Sequence, residues 1–210
     1  MNNSLSNTGR LLGAGLRALL VLTLVTGVIY PLAVTVVAQA LFHNKANGSE
    51  ISYDGKVVGS SLIGRQGYSL DYFQPRPAGG LGENSVNTRY TLILSGATNL
   101  SADNKKLIAP VEEAKAKVVK DNSVPGHTVE PSQVPADAVT SSGSGLDPDI
   151  SPAYADLQIH RVAERNGLTV AQVRKLVDEH TEGRTLGFIG EPRVNVLELN
   201  IALKELLAKS

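Results

Sequence analysis

The sequence predicts an α+β protein: one N-terminal transmembrane helix, then a single mixed α+β extracytoplasmic domain with a C-terminal helical part. Three observations carry that class. Residues 18–42, ALLVLTLVTGVIYPLAVTVVAQALF, hold no charge, and about 20 apolar residues of helix cross a bilayer's hydrocarbon core. Asp54-Gly55 between two β-prone runs is a strong hairpin signal. From Ser151 onward, capping residues and apolar faces recur at helical spacing.

Within the first element, residues 1–17 read as a short polar tail carrying Arg10 and Arg17 and no acid. A cleaved signal peptide is the competing reading, because Ala38-Gln39-Ala40 fits a small-x-small cleavage site. The apolar run before Ala38 is longer than the roughly 7–15 residues of a secretory core, and it continues through Leu41 and Phe42. An uncleaved anchor at 18–42 is therefore expected. Gly27 and Pro31 inside it predict close packing against other membrane helices, with those helices or Thr hydroxyls satisfying the carbonyl that Pro31 frees. Two basic residues precede the span and Lys45 alone follows closely, ahead of Glu50. The positive-inside rule then places the N-terminus in the cytoplasm and residues 43–210 outside it.

Those outer residues amount to one domain. Without Arg10 and Arg17 the chain has 18 basic and 20 acidic residues, which excludes a broad basic face for nucleic acid. The absence of cysteine excludes a disulfide, a thiolate metal site and a cysteine nucleophile. Twenty Gly and ten Pro against nine aromatics indicate a turn-rich domain with a modest core.

Strands are expected at 51–53 and 56–63, around Asp54-Gly55. Residues 67–82 follow as a loop, since Pro75 and Pro77 bar a central strand. Tyr68, Tyr72 and Phe73 are expected to anchor that loop on the core. Residues 87–99 form a short apolar strand or turn. Ser101 or Asp103 can cap a helix running to about Asp121, with Leu107, Val111, Ala114 and Val118 on one face and Pro110 kinking it or restarting it. Residues 124–149, with four prolines and the run SSGSG, are the least regular part, a functional loop or a linker. Ser151-Pro152 starts a helix that Gly167 stops, and Thr169 starts a second through His180, making a helical hairpin. Asn195 caps a last helix whose Leu199, Ile201, Ala202, Leu203, Leu206 and Leu207 bury against that hairpin.

No catalytic set emerges from spacing. His43, His127, His160 and His180 show no zinc pattern, and no phosphate-binding glycine loop of the G-x-x-x-x-G-K-[ST] type occurs. Ser142 and Ser144 fail the nucleophile-elbow pattern, which favours a loop that bonds backbone. Leu94, Ser95, Gly96, Ala97 and Thr98 echo the LSGGQ signature of ABC ATPases as a degenerate five-residue match. Glu182, Arg184, Glu191 and Arg193 alternate in sign across a Gly-rich turn, where they lock the loop through charge-assisted bonds or dock a partner.

The series TGVIYPL (26–32), GSSLIG (59–64), YFQPRPA (72–78), LSGATNL (94–100), SGSGLDPDISP (142–152) and HTEGRTLGFIGEPRVNVLELN (180–200) resembles KdpC, the single-span subunit of the bacterial Kdp potassium-transporting ATPase. The resemblance covers almost the whole chain from the anchor onward. It implies an accessory, non-hydrolytic subunit in the bacterial inner membrane, with its domain in the periplasm. Its partners would be KdpA, which carries the potassium pathway, KdpB, which hydrolyses ATP, and a small KdpF. It implies a stabilising role, or that of a catalytic chaperone raising KdpB's affinity for ATP. No DKTGT-like phosphorylation motif is present, in agreement with that role.

The family's nucleotide proposal falls on Leu94, Ser95, Gly96, Ala97 and Thr98, with ATP as the ligand. Ala97 and Thr98 depart from the Gly and Ser usual there. The expected topology also puts the segment outside the cytoplasm, and packing on the outer face of KdpA is the favoured expectation. A membrane-tethered exported hydrolase using a Ser of residues 141–145 with His160 or His180, and a free-standing ligand-binding module, are the alternatives. No firmly bound cofactor and no metal are expected.

Overall fold

The apolar stretch is helical, and the helix begins well before residue 18. The computed structural model describes residues 2–79, 81–83 and 91–209, and the chain divides into two units, Met1–Glu50 and Ile51–Ser210. In the first unit, α1 (Asn2–Leu24), a π-helical turn (Val25–Ile29) and α2 (Tyr30–Leu41) form one continuous rod. Its portion Ser6–Leu41 is long and apolar enough to cross a membrane, and none of it is buried within the chain. The turn is widened because the Tyr30 N–H bonds the Val25 carbonyl, five residues back. Pro31 follows at once, and the extra residue relieves the clash that its ring makes with the preceding turn. The Thr26 and Thr35 hydroxyls donate to the carbonyls of Leu22 (2.7 Å) and Pro31 (2.8 Å). The proline is thus accommodated by a register change in the backbone, and these two hydroxyls bond elsewhere. A short α3 (His43–Ala46) follows, and Asn47 folds back to exchange amide bonds with Gln39 at 3.1 and 3.2 Å.

In the second unit, β1 (Glu50–Tyr53) and β2 (Lys56–Ser60) pair into a two-stranded sheet. Asp54 and Gly55 turn between them with φ of 53° and 70°, the geometry of a type I′ hairpin. Strand β2 stops at Ser60, short of the expected Ile63. A Cβ on Gly59 would sit 2.7 Å from Leu197 Cδ2, and one on Gly64 would sit 2.5 Å from the Asp147 carbonyl oxygen. The glycines of GSSLIG therefore let this segment press onto two other parts of the chain. Leu81 and Gly82, expected in a loop, belong to β3 (Leu81–Glu83), which pairs antiparallel with β4 (Thr91–Ile93). Residues 87–90 of the expected strand lie outside the described residues.

Helix α4 (Lys105–Asn122) takes Asn104 as its cap, the side chain accepting the Lys106 N–H at 2.9 Å. Ser101 instead bonds Asp103 at 2.6 Å, so the start falls one residue past the expected cap. Pro110 lies inside the helix, which continues through it. Residues 124–149 are irregular but anchored, with Val129 and Ala138 buried and 3₁₀ turns at Pro131–Gln133 and Ala136–Ala138.

The C-terminal part follows its signals closely. Helix α5 (Pro152–Asn166) is capped by Ser151 and ends at Gly167, whose φ of 64° is the left-handed stop. Helix α6 (Val170–Glu179) opens with a reciprocal capping box between Thr169 and Gln172. Helix α7 (Val196–Lys209) begins where the Asn195 side chain accepts the Glu198 N–H at 3.2 Å. Ile159, Val162, Val173, Val177, Leu199 and Leu203 are fully enclosed between these three helices, together with Phe73 from the proline-rich loop. Three strands too short to show a period, β5 (Asp149–Ile150), β6 (Thr181–Glu182) and β7 (Arg193–Asn195), form an antiparallel sheet in the order β5-β7-β6.

Candidate functional site

The segment YFQPRPA is held by side chains rather than by a neighbouring strand. Asn200 of α7 accepts the Phe73 N–H at 2.8 Å and donates to its carbonyl at 3.0 Å. Gln158 of α5 does the same for Gln74, at 2.6 and 3.1 Å. Each amide acts as a one-residue substitute for a β-partner, which Pro75 and Pro77 would otherwise deny this stretch.

Beside them, Arg161 is completely enclosed. Its Nη1 donates to the carbonyls of Leu70 and Tyr72, its Nη2 to Gln158 Oε1 and its Nε to Asn122 Oδ1. Burial pulls its pKa down to about 10, with the Arg165 charge adding to that, so it stays a cation near neutrality. Burial likewise pushes the Tyr154 hydroxyl up to about 12. Sequence reasoning missed this polar clamp. Its signal was present, since Gln158 and Arg161 share the buried face of α5 with Tyr154, Ala155 and Ile159.

Three resembling motifs meet at a polar cleft of about 530 Å³. Arg76 binds Asp147 at 2.9 Å. Arg193 reaches Asp149 at 3.1 Å and Glu182 at 2.6 Å. Asp137 accepts both the N–H and the hydroxyl of Ser151, at 2.7 and 2.9 Å. Burial raises the Asp149 pKa, Asp147 adds to the rise, and Arg193 opposes it. Every cation at this cleft thus faces a carboxylate, and its charge is spent internally.

The alternating charges of the last motif form the lock that their pattern suggested. Arg184 pairs with Glu191 at 2.7 Å across a turn in which Thr185 bridges Ile189. Between those braces Leu186 is 79% exposed, Phe188 72% and Ile189 51%. Leu186 takes a φ of 54°, unusual for a side chain of that size. A fixed turn that displays three large apolar side chains has the character of a contact surface.

Leu94, Ser95, Gly96, Ala97 and Thr98 lie in an exposed, irregular segment after β4. The Gly96 N–H donates to the Ser144 carbonyl at 2.8 Å, which brings the segment to the SSGSG loop. Ala97 and Thr98 line a cavity of about 630 Å³ with Lys106, Ser141 and Ser142, whereas Leu94, Ser95 and Gly96 do not. A Cβ on Gly96 would meet nothing within 4 Å, so the fold itself does not demand glycine there.

Ser142 and Ser144 bond each other and the backbone of their own loop, at Gly145 and Leu146. His160 stacks on His127, with centroids 3.7 Å apart, and His180 bonds the Leu176 carbonyl. The serines and histidines of the hydrolase alternative therefore have other partners. Among the described residues no group of three acidic or histidine side chains could hold a metal ion.

A family model described as "KdpC: K+-transporting ATPase, c chain" matches residues 12–205. The chain belongs to the KdpC family. A potassium-transporting ATPase KdpC subunit of Streptomyces avermitilis is 72% identical over the full length of both chains. One from Streptomyces coelicolor is 69% identical over 99% of this chain and 98% of its own. One from Mycobacterium tuberculosis is 46% identical over 91% and 96% respectively. Membership makes this chain a subunit of a potassium-transporting ATPase, and so one of several chains in a complex. The polar clamp, the neutralised cleft and the braced apolar turn are the structural content of the family-like motifs in this KdpC chain.

Proposed function

We propose that this chain is an accessory, non-hydrolytic subunit that stabilises a high-affinity, ATP-driven potassium uptake complex. In this reading residues 18–42 span the bacterial cell membrane once, with residues 1–17 cytoplasmic and residues 43–210 on the periplasmic side. The partners are KdpA and KdpB, with KdpF completing the assembly. The observation that carries the reading is the turn at residues 186–189, where apolar side chains are displayed on a backbone braced by Arg184–Glu191. A surface with so much exposed apolar area is stabilised by burial against another chain. The anchor adds a second contact: a Cβ at Gly27 would touch only Thr23, at 3.9 Å, which leaves that helix face open to a neighbouring helix.

Co-purification in mild detergent tests the assignment. The chain is expected to retain KdpA and KdpB, and a chain that never retains them sinks the proposal. Gly27→Leu is expected to weaken assembly without preventing membrane insertion.

The second reading is a catalytic chaperone that raises KdpB's affinity for ATP, with nucleotide held near Leu94, Ser95, Gly96, Ala97 and Thr98. The cavity beside Ala97, Thr98 and Lys106 favours it, because Lys106 and the first turn of α4 supply positive charge there. A reporter fused after Ser210 decides between the two. Periplasmic activity supports the docking role, and cytoplasmic activity supports the nucleotide role.

A further inference from the structure

A cavity of about 200 Å³ lies between the β1–β2 hairpin, the segment at residues 65–72 and α7. Its walls include Tyr53, Arg65, Tyr68, Tyr72, Asn200 and Lys204. The Lys204 ammonium stands 5.6 Å from the ring centroids of both Tyr53 and Tyr72. The Arg65 guanidinium stands 5.8 Å from that of Tyr68. Both charged groups are therefore held at the cavity wall by aromatic faces. Arg65 spends one N–H on the Val58 carbonyl, at 3.1 Å. Among the described residues, no carboxylate pairs with Arg65 or Lys204. The contrast with the larger cleft is direct, since Arg76 and Arg193 are neutralised there by Asp147, Asp149 and Glu182.

The Tyr68 hydroxyl is also enclosed, and it makes no hydrogen bond to a described residue. Asn200 stands beside it with its oxygen taken by the Phe73 N–H and one amide hydrogen by the Phe73 carbonyl, so what it has left for the phenol is a second donor, and the hydroxyl hydrogen still lacks an acceptor. An enclosed hydroxyl without a partner is costly unless something else accepts its proton. The wall thus combines two unpaired cations, one unused donor, aromatic sides and a volume suited to a small group.

We infer that this cavity binds a phosphate-type oxyanion, either inorganic phosphate or the phosphodiester of a lipid headgroup. Its several oxygens accept from the guanidinium fork, the ammonium and the tyrosine hydroxyl at once. The proposal is independent of which partners the chain has, and its test needs none of them.

The chain has six tyrosines and no tryptophan, so tyrosine fluorescence reports on the site without a competing indole. The full chain in maltoside micelles is titrated at constant ionic strength with inorganic phosphate and, in a second arm, with short-chain phosphatidylglycerol below its micellar concentration. Chloride is the control. A saturable change with phosphate or lipid, absent with chloride, is expected. Arg65→Gln and Lys204→Gln should each weaken it by about tenfold or more, the loss of one charge-assisted contact. Tyr68→Phe keeps the ring and should weaken binding less. Tighter binding of the lipid than of phosphate assigns the site to a headgroup, and the reverse order assigns it to the free ion. No saturable response in either arm overturns the inference. So does a response that survives in the Arg65→Gln, Lys204→Gln double variant, whose exposed side chains leave folding, checked by melting temperature, intact.

Discussion

Asn200 and Phe73, far apart in sequence, meet as a complete peptide pairing: the amide of Asn200 bonds both the N–H (2.8 Å) and the carbonyl (3.0 Å) of Phe73. The arrangement couples the proline-rich loop to the last helix. It also turns a loop that cannot join a sheet into part of the core.

Asn200→Leu should therefore be among the most damaging single changes in the domain. It leaves a buried donor and a buried acceptor unpartnered, at a cost of about 2–5 kcal/mol. Urea unfolding of the detergent-solubilised chain measures it, and a loss below about 1 kcal/mol contradicts the pairing as described.

Arg161→Lys, conservative in charge, should not be conservative in stability. Lysine offers one ammonium where a planar fork serves Asn122, Gln158, Leu70 and Tyr72. A loss of about 2–4 kcal/mol is expected in the same unfolding assay.

Gly64→Ala should destabilise although Gly64 has no left-handed backbone, because its new Cβ meets the Asp147 carbonyl oxygen at 2.5 Å. Displacing that backbone should cost about 1–3 kcal/mol. Gly96→Ala, with open space around it, is the matched control and should leave the melting temperature unchanged.

The stacked pair His127–His160 should give the domain an acid-sensitive contact. Partial burial lowers the His160 pKa, and the His127 and Arg174 charges lower it further. A base whose folded pKa lies below its unfolded value binds fewer protons when folded, so stability rises with pH through that window. The contribution is whole above the ordinary histidine value of about 6.5 and is lost as pH falls through the depressed one. Proton titration by NMR should place His160 below the ordinary histidine value of about 6.5, and His127→Phe should remove part of its depression.

Leu186→Asn combined with Phe188→Ser should separate stability from assembly. Both side chains are exposed, and Asn tolerates the left-handed φ of residue 186, so unfolding should shift by less than about 0.5 kcal/mol. Retention of the partner subunits should fall sharply, and undiminished co-purification would count against the turn as a contact surface.

The sequence by itself determined whatever is encoded within a few residues. Apolarity without charge in residues 18–42 marked the helix, which ends at Leu41, and Asp54-Gly55 marked the hairpin because a type I′ turn needs two positive φ values. Ser151, Gly167, Thr169 and Asn195 marked helix ends, since caps act over a single turn. The motif series marked the family. Other features depended on what packs against what, which no local pattern records. Arg161 and Gln158 fall on the apolar face of α5, but only Phe73 and Gln74 laid across that helix show what they bind. The short strands β5, β6 and β7 exist only because distant segments align. Among the residues of the degenerate nucleotide signature, Ala97 and Thr98 face a cavity that Ser141 and Ser142 complete from far along the chain. Leu186, Phe188 and Ile189 are exposed on a turn that the ion pairs Arg184–Glu191 and Arg193–Glu182 brace, an arrangement that apolar residue type alone does not announce.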